Sequence, residues 1–247
     1  MNVSILIPAR DEAGNLPGLL DEITAAMRSH HGDYEVLVID DGSSDRSWAM
    51  LLERAQRDQT LRPIHHRESA GQSTAIWQAA RLARGRWLAT LDGDGQNDPA
   101  DLPRLLDHAA EHGLALVTGY RTRRRDTWIK RLSSRIANGV RTRFLHDHTP
   151  DTGCGLKVID RTVFLDLPYF DHMHRFLPAL VQSQGGRCAS VPVNHRVRER
   201  GRSHYGLNDR LWPGIVDLFG VMWLVRRSRL PAAIEEADRD IDRRRSA

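Results

Sequence analysis

Asp92 and Asp94 stand two residues apart in Leu91-Asp92-Gly93-Asp94-Gly95-Gln96, directly after an apolar run. On extended backbone, side chains at i and i+2 point the same way, so two carboxylates there can reach one cation. Gln96 adds a neutral oxygen, and Gly93 and Gly95 let the backbone approach a bulky anion closely. Hard oxygen ligands suit Mg²⁺ or Mn²⁺ rather than zinc, and neither ion needs an all-protein cage when substrate phosphates complete its shell. The same residues also suit a plain polar turn. A second acidic run, Asp40-Asp41-Gly42-Ser43-Ser44-Asp45, weighs against that alternative. Ser44 or Asp45 there serves as a helix cap, which leaves Asp40, at the strand end, for a base or ribose.

The elements that must position these runs alternate from the first residue. Strand patterns at Val3 to Ile7, Glu35 to Ile39, Leu61 to His65, Arg86 to Leu91 and Leu114 to Thr118 are separated by helical patterns. Those helices are Leu16 to Ser29, Ser47 to Gln56, Ser73 to Arg84 and Leu102 to Glu111. The alternation predicts an α/β fold with a mostly parallel sheet covered by helices on both faces. Ligands bind such sheets at the carboxyl ends of the strands, where Pro8-Ala9-Arg10-Asp11-Glu12 and both acidic runs fall. Beyond residue 150 the pattern supports Asp151 to Gly155 as a turn, a strand at Leu156 to Ile159 and a helix at Phe176 to Gln184, without a topology.

A net charge of +4 favours acidic partners without choosing among nucleic acid, anionic lipid and phosphorylated small molecules. Two cysteines, Cys154 and Cys188, are too few for a disulfide scaffold and point to a reducing setting. Met1 to Pro8 has no signal-peptide pattern, so a cytoplasmic location is expected. The apolar stretch Leu211 to Val225, broken by Pro213 and Asp217, falls short of the ~20 residues that span a bilayer. Three segments follow: a catalytic domain over 1–210, a short interfacial or docking segment over 211–234, and a charged, disordered tail over 235–247.

Ile5 to Glu12, Val38 to Asp45 and Leu91 to Gln96, taken together, resemble the family 2 glycosyltransferases of GT-A fold, and within them the dolichyl- and undecaprenyl-phosphate sugar synthases. The resemblance runs from about residue 2 to 210. It implies a nucleotide-diphospho-sugar donor (GDP-mannose or a UDP-hexose or hexosamine), a polyprenyl-phosphate acceptor, a divalent metal and inversion at the anomeric carbon. By that similarity Pro8, Arg10, Glu12, Val38, Asp40 and Gly93 line the nucleotide site, while Asp92, Asp94 and Gln96 hold the metal on the diphosphate. Arg121 and Arg135 match positions that bind the acceptor phosphate, and Asp151 matches the acidic turn beside the reacting sugar. Arg196, Arg198, Gly201, Ser203, His204 and Tyr205 resemble a loop that closes over the diphosphate, with Arg198 and His204 contacting it and His204 standing where a lysine is usual. Gln72 also departs from a usual lysine, and Arg10 from a tyrosine or asparagine.

Gly119 to Phe144 carries nine basic residues against Asp126, and Ile129, Leu132, Ile136, Val140 and Phe144 mark one apolar helical face. Such a helix can lie at an anionic membrane surface or face the core. Leu211 to Val225, expected as a C-terminal amphipathic helix, with Trp212, Trp223, Arg226 and Arg227, suits a bilayer boundary, a membrane protein or a second copy. His146, His148, His172 and His174 lack the cysteine partners of a zinc site and are expected as ordinary core or surface residues. A nucleotidyltransferase is disfavoured because its phosphate loop would be glycine-rich and basic where this chain has Asp11 and Glu12. Nucleic acid is not expected as a partner, since aromatic residues do not interleave the basic stretch. The absence of Gln-x-x-Arg-Trp disfavours a processive synthase. Transfer to a non-prenyl hydroxyl and non-catalytic sugar-nucleotide binding remain as alternatives.

Overall fold

A computed structural model describes residues 2–28, 30, 32–122, 142–145, 147, 149–197 and 208–228, with side chains from 213 onward in the last stretch. Its centre is a seven-stranded sheet. In chain order the elements are β1 (Val3–Ala9), α1 (Leu16–Met27), β2 (Tyr34–Asp41), α2 (Ser47–Ala55), β3 (Leu61–His66), α3 (Gln72–Leu82), β4 (Trp87–Thr90), α4 (Leu102–Glu111) and β5 (Leu116–Arg121). They continue with β6 (Lys157–Asp160), α5 (Arg161–Asp166), α6 (Leu177–Ser183), β7 (Cys188–Val193) and α7 (Asn208–Arg227).

The strand order is β3-β2-β1-β4-β6-β5-β7. β1, β2, β3 and β4 pair in parallel, as do β5 and β7, while β6 runs antiparallel to both β4 and β5. The mostly parallel sheet expected from the alternation is therefore present, with β6 reversed. That reversal matters for the site: β6 begins, rather than ends, at the edge where β1, β2, β4 and β5 end.

Both faces of the sheet are covered, so the central strands are buried on both sides and read as nearly continuous apolar runs. On one face Val3, Ile5, Ile7, Val36 and Val38 pack against Leu16, Leu20 and Ile23 of α1 and Leu102, Leu105 and Leu106 of α4. On the other, Leu6, Leu37, Ile39 and Leu88 meet Ala75, Ile76 and Ala79 of α3, Phe164 of α5 and Leu177 and Leu180 of α6. Each such side chain, fully buried, contributes roughly 1.5–3 kcal/mol. Val221 and Met222 of α7 join this second layer, so the C-terminal helix is seated on the domain.

Two elements are absent from the sequence pattern. β7 contains Pro192, which breaks a strand pattern but is tolerated because β7 lies at the sheet edge. α5 is only six residues long and is started by Asp160, whose carboxylate accepts from the N–H groups of Thr162 (2.9 Å) and Val163 (3.4 Å). Both cysteines are free thiols. Burial pushes the Cys188 thiol up to about 12, which makes it unreactive near neutrality. No helix among the described residues is long and apolar enough to cross a membrane.

Candidate active site

The loops after β1, β2, β3, β4 and β5, together with the turn before β6, meet at one edge of the sheet. Asp11, held at φ 55, laces the first two loops together: its carboxylate accepts from the backbone N–H of Ser44 (2.7 Å) and Asp45 (3.2 Å). In return Ser43 Oγ accepts from Asp11 N–H (2.9 Å), Ser47 Oγ from Glu12 N–H (3.0 Å) and Asp45 from Ala13 N–H (3.1 Å). Asp45 also accepts from Ser47 N–H (2.8 Å), one position before the N-cap Arg46 of α2, so of the two cap candidates Ser44 and Asp45 it is Asp45 that meets the helix start.

Asp41 organises the third loop. Its carboxylate accepts from His66 Nδ1 (2.7 Å), Ala70 N–H (2.8 Å), Ser69 Oγ (2.8 Å) and Gly71 N–H (2.9 Å). Burial pushes this carboxyl up, but those four donors outweigh it and hold it below its ordinary value. Gly42 is required in the same turn, because at φ +68 a Cβ would stand 2.8 Å from the Ser69 nitrogen. Asp40, next to it, is fully buried; Oδ2 meets His65 Nδ1 at 2.8 Å, and His65 stacks on Trp48 with centroids 4.9 Å apart. Oδ1 of Asp40 has no hydrogen-bond partner among the described residues.

Just past the end of β4, Asp92 is held by neighbouring elements. Its N–H donates to Asn97 Oδ1 (3.1 Å), Gln72 Nε2 donates to its Oδ1 (2.9 Å), and its Oδ2 lies against the Gly155 backbone, where a Cβ would sit 2.1 Å away. Gly93 approaches β1 so closely that a Cβ would stand 3.2 Å from the Pro8 carbonyl, which joins the acidic turn to the first loop. Burial and the neighbouring Asp94 push the Asp92 carboxyl up to about 6, against the pull of Lys157, Arg121 and the Gln72 amide. Two carboxylates that repel each other in a desolvated turn match the donor set a hard divalent cation would neutralise. Among the described residues no group of three or more His, Cys, Asp or Glu side chains is arranged to hold a metal, so a cation here would take its remaining ligands from elsewhere.

Arg121 at the end of β5 grips Asp151 through two contacts, Nε to Oδ2 at 2.7 Å and Nη2 to Oδ1 at 2.9 Å. Burial works against the Arg121 charge, but the Asp151 carboxylate more than compensates and holds the guanidinium firmly protonated. Lys157, at the start of β6, is buried between the two carboxylate regions and donates to the Cys154 carbonyl. Burial pushes its ammonium down in pKa, while Cys154, Asp92 and Asp151 support the charge.

The remaining expected site residues divide. Arg10 is exposed and donates to Ser69 Oγ (3.1 Å), and Glu12 is buried at the start of α1 with Asn15 Nδ2 at 2.5 Å. Val38 is part of the packed core and lies beneath the loops rather than among them. Gln96 donates from Nε2 to the Arg196 carbonyl (3.3 Å), while Arg196 itself binds Glu22 (2.6 Å) and Asp98 (2.8 Å). Arg135, Arg198 and His204, with most of the basic helical segment, lie outside the described residues. So do His146 and His148, whereas His172 bonds Asp217 of α7 (2.9 Å) and half-buried His174 bonds Ser73 Oγ (2.7 Å).

Sequence reading did not find Lys157, Asp41 or His65. A lysine inside the apolar run Leu156 to Ile159 is the one visible signal, because a charge in a buried strand needs a compensating partner.

Residues 4–167 match the family model described as "Glycosyl transferase family 2". The chain belongs to this family. As a family 2 glycosyltransferase it is 32% identical over 235 residues to the dodecaprenyl-phosphate galacturonate synthase of Rhizobium johnstonii, covering 94% of this chain and 69% of that protein. It is 36% identical over 206 residues to the undecaprenyl-phosphate 4-deoxy-4-formamido-L-arabinose transferase of Edwardsiella ictaluri, covering 83% of this chain and 63% of that one. Among solved structures it is similar to mannosyl-3-phosphoglycerate synthase of Rubrobacter xylanophilus, with TM-score 0.71, 16% identity and coverage of 98% and 80%. A second likeness is to glucosyl-3-phosphoglycerate synthase of Mycobacterium tuberculosis in complex with Mn²⁺, UDP-glucose and phosphoglyceric acid, with TM-score 0.67, 17% identity and coverage of 91% and 79%. These structural likenesses establish the GT-A fold.

Proposed function

We propose that this glycosyltransferase moves a sugar from a nucleotide-diphospho-sugar to a polyprenyl phosphate, with inversion at the anomeric carbon. The observation that carries the reading is the convergence, on one cleft, of the Asp92–Asp94 turn and the Arg121–Asp151 pair. The first is suited to a metal-bound diphosphate and the second to an anionic acceptor. The relatives named for dodecaprenyl and undecaprenyl phosphate support the acceptor class.

In this mechanism Asp92 and Asp94 would hold a divalent cation, Mg²⁺ or Mn²⁺, which would supply positive charge to the diphosphate. Asp40, Pro8, Arg10, Glu12 and Gly93 shape the donor site, and Arg198 and His204 close on the diphosphate. Asp151 uses two of the five N–H donors of Arg121 and so aims the rest at the acceptor phosphate, which Arg135 also binds. A phosphate monoester, with its second pKa about 6, is already ionised at neutrality and needs positioning more than a base.

The acceptor must be met at a membrane. α7 presents Val216, Phe219 and Trp223 outward, each more than 60% exposed, and Arg226 and Arg227 follow at its end. An apolar face ending in cations fits peripheral contact with an anionic leaflet, here the cytoplasmic one.

The test is a panel of UDP- and GDP-sugars with Mn²⁺ or Mg²⁺, with and without undecaprenyl phosphate, scored for nucleoside diphosphate and glycolipid. Glycolipid is expected only when donor, metal and lipid are all present. Donor turnover that ignores the lipid phosphate would overturn the acceptor assignment.

A further inference from the structure

Gln72 reaches Asp92 from a neighbouring helix, and its surroundings are built to hold it there. It is the first residue of α3, preceded by Gly71 at φ +89. Asp41 pins the approach by accepting from the N–H groups of Ala70 and Gly71. Ser73, the next residue, is buried and bonded to His174 Nδ1 at 2.7 Å. The first turn of α3 is thus fixed behind by Asp41 and beside by His174. From that anchored turn Gln72 Nε2 meets Asp92 Oδ1 at 2.9 Å, while the Gly155 backbone closes on Oδ2.

We infer that Gln72 is a positioning residue that locks the orientation of the Asp92 carboxylate, and that the Ser73–His174 pair sets Gln72 in place. A carboxylate on a short side chain turns freely about its last torsion unless both oxygens are engaged. Here one oxygen has an amide donor and the other a backbone wall. The donor's neutrality is the chemical point: an amide orients a carboxylate without cancelling the charge a divalent cation needs, whereas an ammonium at the same distance competes with that cation. Partners of this kind typically change metal affinity 10- to 100-fold when lost.

The inference rests on the reading of Asp92 and Asp94 as the metal-diphosphate turn, and the experiment separates the two. Mn²⁺ binding to the full chain is measured by electron paramagnetic resonance with UDP or GDP present and no acceptor, alongside the melting temperature. The variants are Gln72→Met, Gln72→Lys and Asp94→Asn. Methionine keeps the length and bulk of glutamine but has no donor, so a packing role leaves Mn²⁺ affinity unmoved. The expected result is Mn²⁺ affinity about tenfold weaker in Gln72→Met with an unchanged melting temperature, weaker again in Gln72→Lys, and no nucleotide-dependent Mn²⁺ binding in Asp94→Asn. Wild-type affinity in Gln72→Met overturns the positioning role and leaves the metal reading intact. Affinity in Gln72→Lys equal to or above that of Gln72→Met overturns the argument from neutrality. No nucleotide-dependent Mn²⁺ binding by the wild type overturns the metal reading and the inference together.

Discussion

Strand β2 carries buried carboxylates at both ends, and the protein treats them differently. At its start, Glu35 accepts from Ser4 Oγ (2.6 Å), from Arg84 N–H (2.6 Å) and from the Arg62 guanidinium. Burial pushes the Glu35 carboxyl up, and these three donors outweigh it, so it is held below its ordinary value. At the other edge of the sheet Asp41 is satisfied in the same way, but among the described residues its neighbour Asp40 keeps one buried oxygen unmatched, and Asp92 is pushed up to about 6 beside Asp94. One edge closes its own electrostatics and serves the fold. The opposite edge mixes satisfied carboxylates, Asp41 and Asp151, with one raised by burial and a like-charged neighbour, Asp92, which is the pattern expected of a candidate binding site.

The largest expected effect tests the open edge. Asp94→Asn should lower metal-dependent transfer about a thousandfold while circular dichroism and melting stay near wild type, since a lost cation contact costs several kcal/mol of transition-state stabilisation. Normal activity would remove this edge from the chemistry.

Next in size is the closed edge. Glu35→Ala leaves Arg62 and two further donors without their acceptor, and should cost about 3 kcal/mol in denaturant unfolding, with donor affinity of the folded fraction unchanged. An equal loss of donor affinity would show that the two edges are not separate.

The raised Asp92 carboxyl sharpens the contrast through pH. A carboxyl whose folded pKa exceeds its unfolded value stabilises the fold fully below pH 3.8, and that contribution is lost as pH rises through about 6. Asp92→Asn cannot ionise, so it should exceed wild type in stability by about 2 kcal/mol at neutral pH, with the gap closing toward pH 4. A gap independent of pH would place the effect in packing. Glu35, lowered instead, has the opposite sign: its contribution is present above the ordinary glutamate range and fades as pH falls through its depressed value.

The smallest effect is expected at Arg196→Ala. Its pairs with Glu22 and Asp98 are partly exposed, so stability should change by less than about 1 kcal/mol in thermal melts.

Much of the donor edge was legible from spacing. Asp40 and Asp92 each follow an apolar run, and that position alone sends a side chain to the strand end. Of the two residues the spacing offers as a helix cap, Ser44 and Asp45, it is Asp45 that bonds the first helical N–H, at Ser47, from one position before the N-cap Arg46. Lys157 was not legible, because nothing local says that β6 enters the sheet reversed and delivers its first residue to the edge where its neighbours finish. Gln72 was noticed only as a departure from a lysine; its partner, Asp92, is 20 residues away. Arg121 was assigned to a phosphate, and its contact with Asp151, 30 residues on, emerged only in three dimensions.

Local chemistry was sufficient for the order of strands and helices through β5 and for the side of the sheet on which the acidic turns fall, while the family was legible only through the resemblance of the linked motifs at Ile5 to Glu12, Val38 to Asp45 and Leu91 to Gln96. Periodicity and turn residues act over a few positions, and a parallel α/β sheet converts that order directly into a layered core. The tertiary structure alone decided which carboxylates are satisfied and which are left open. Burial and partner geometry depend on residues far apart in the chain: Ser4 and Arg84 complete Glu35, whereas the Asp40 carboxylate has His65 as its one side-chain partner among the described residues.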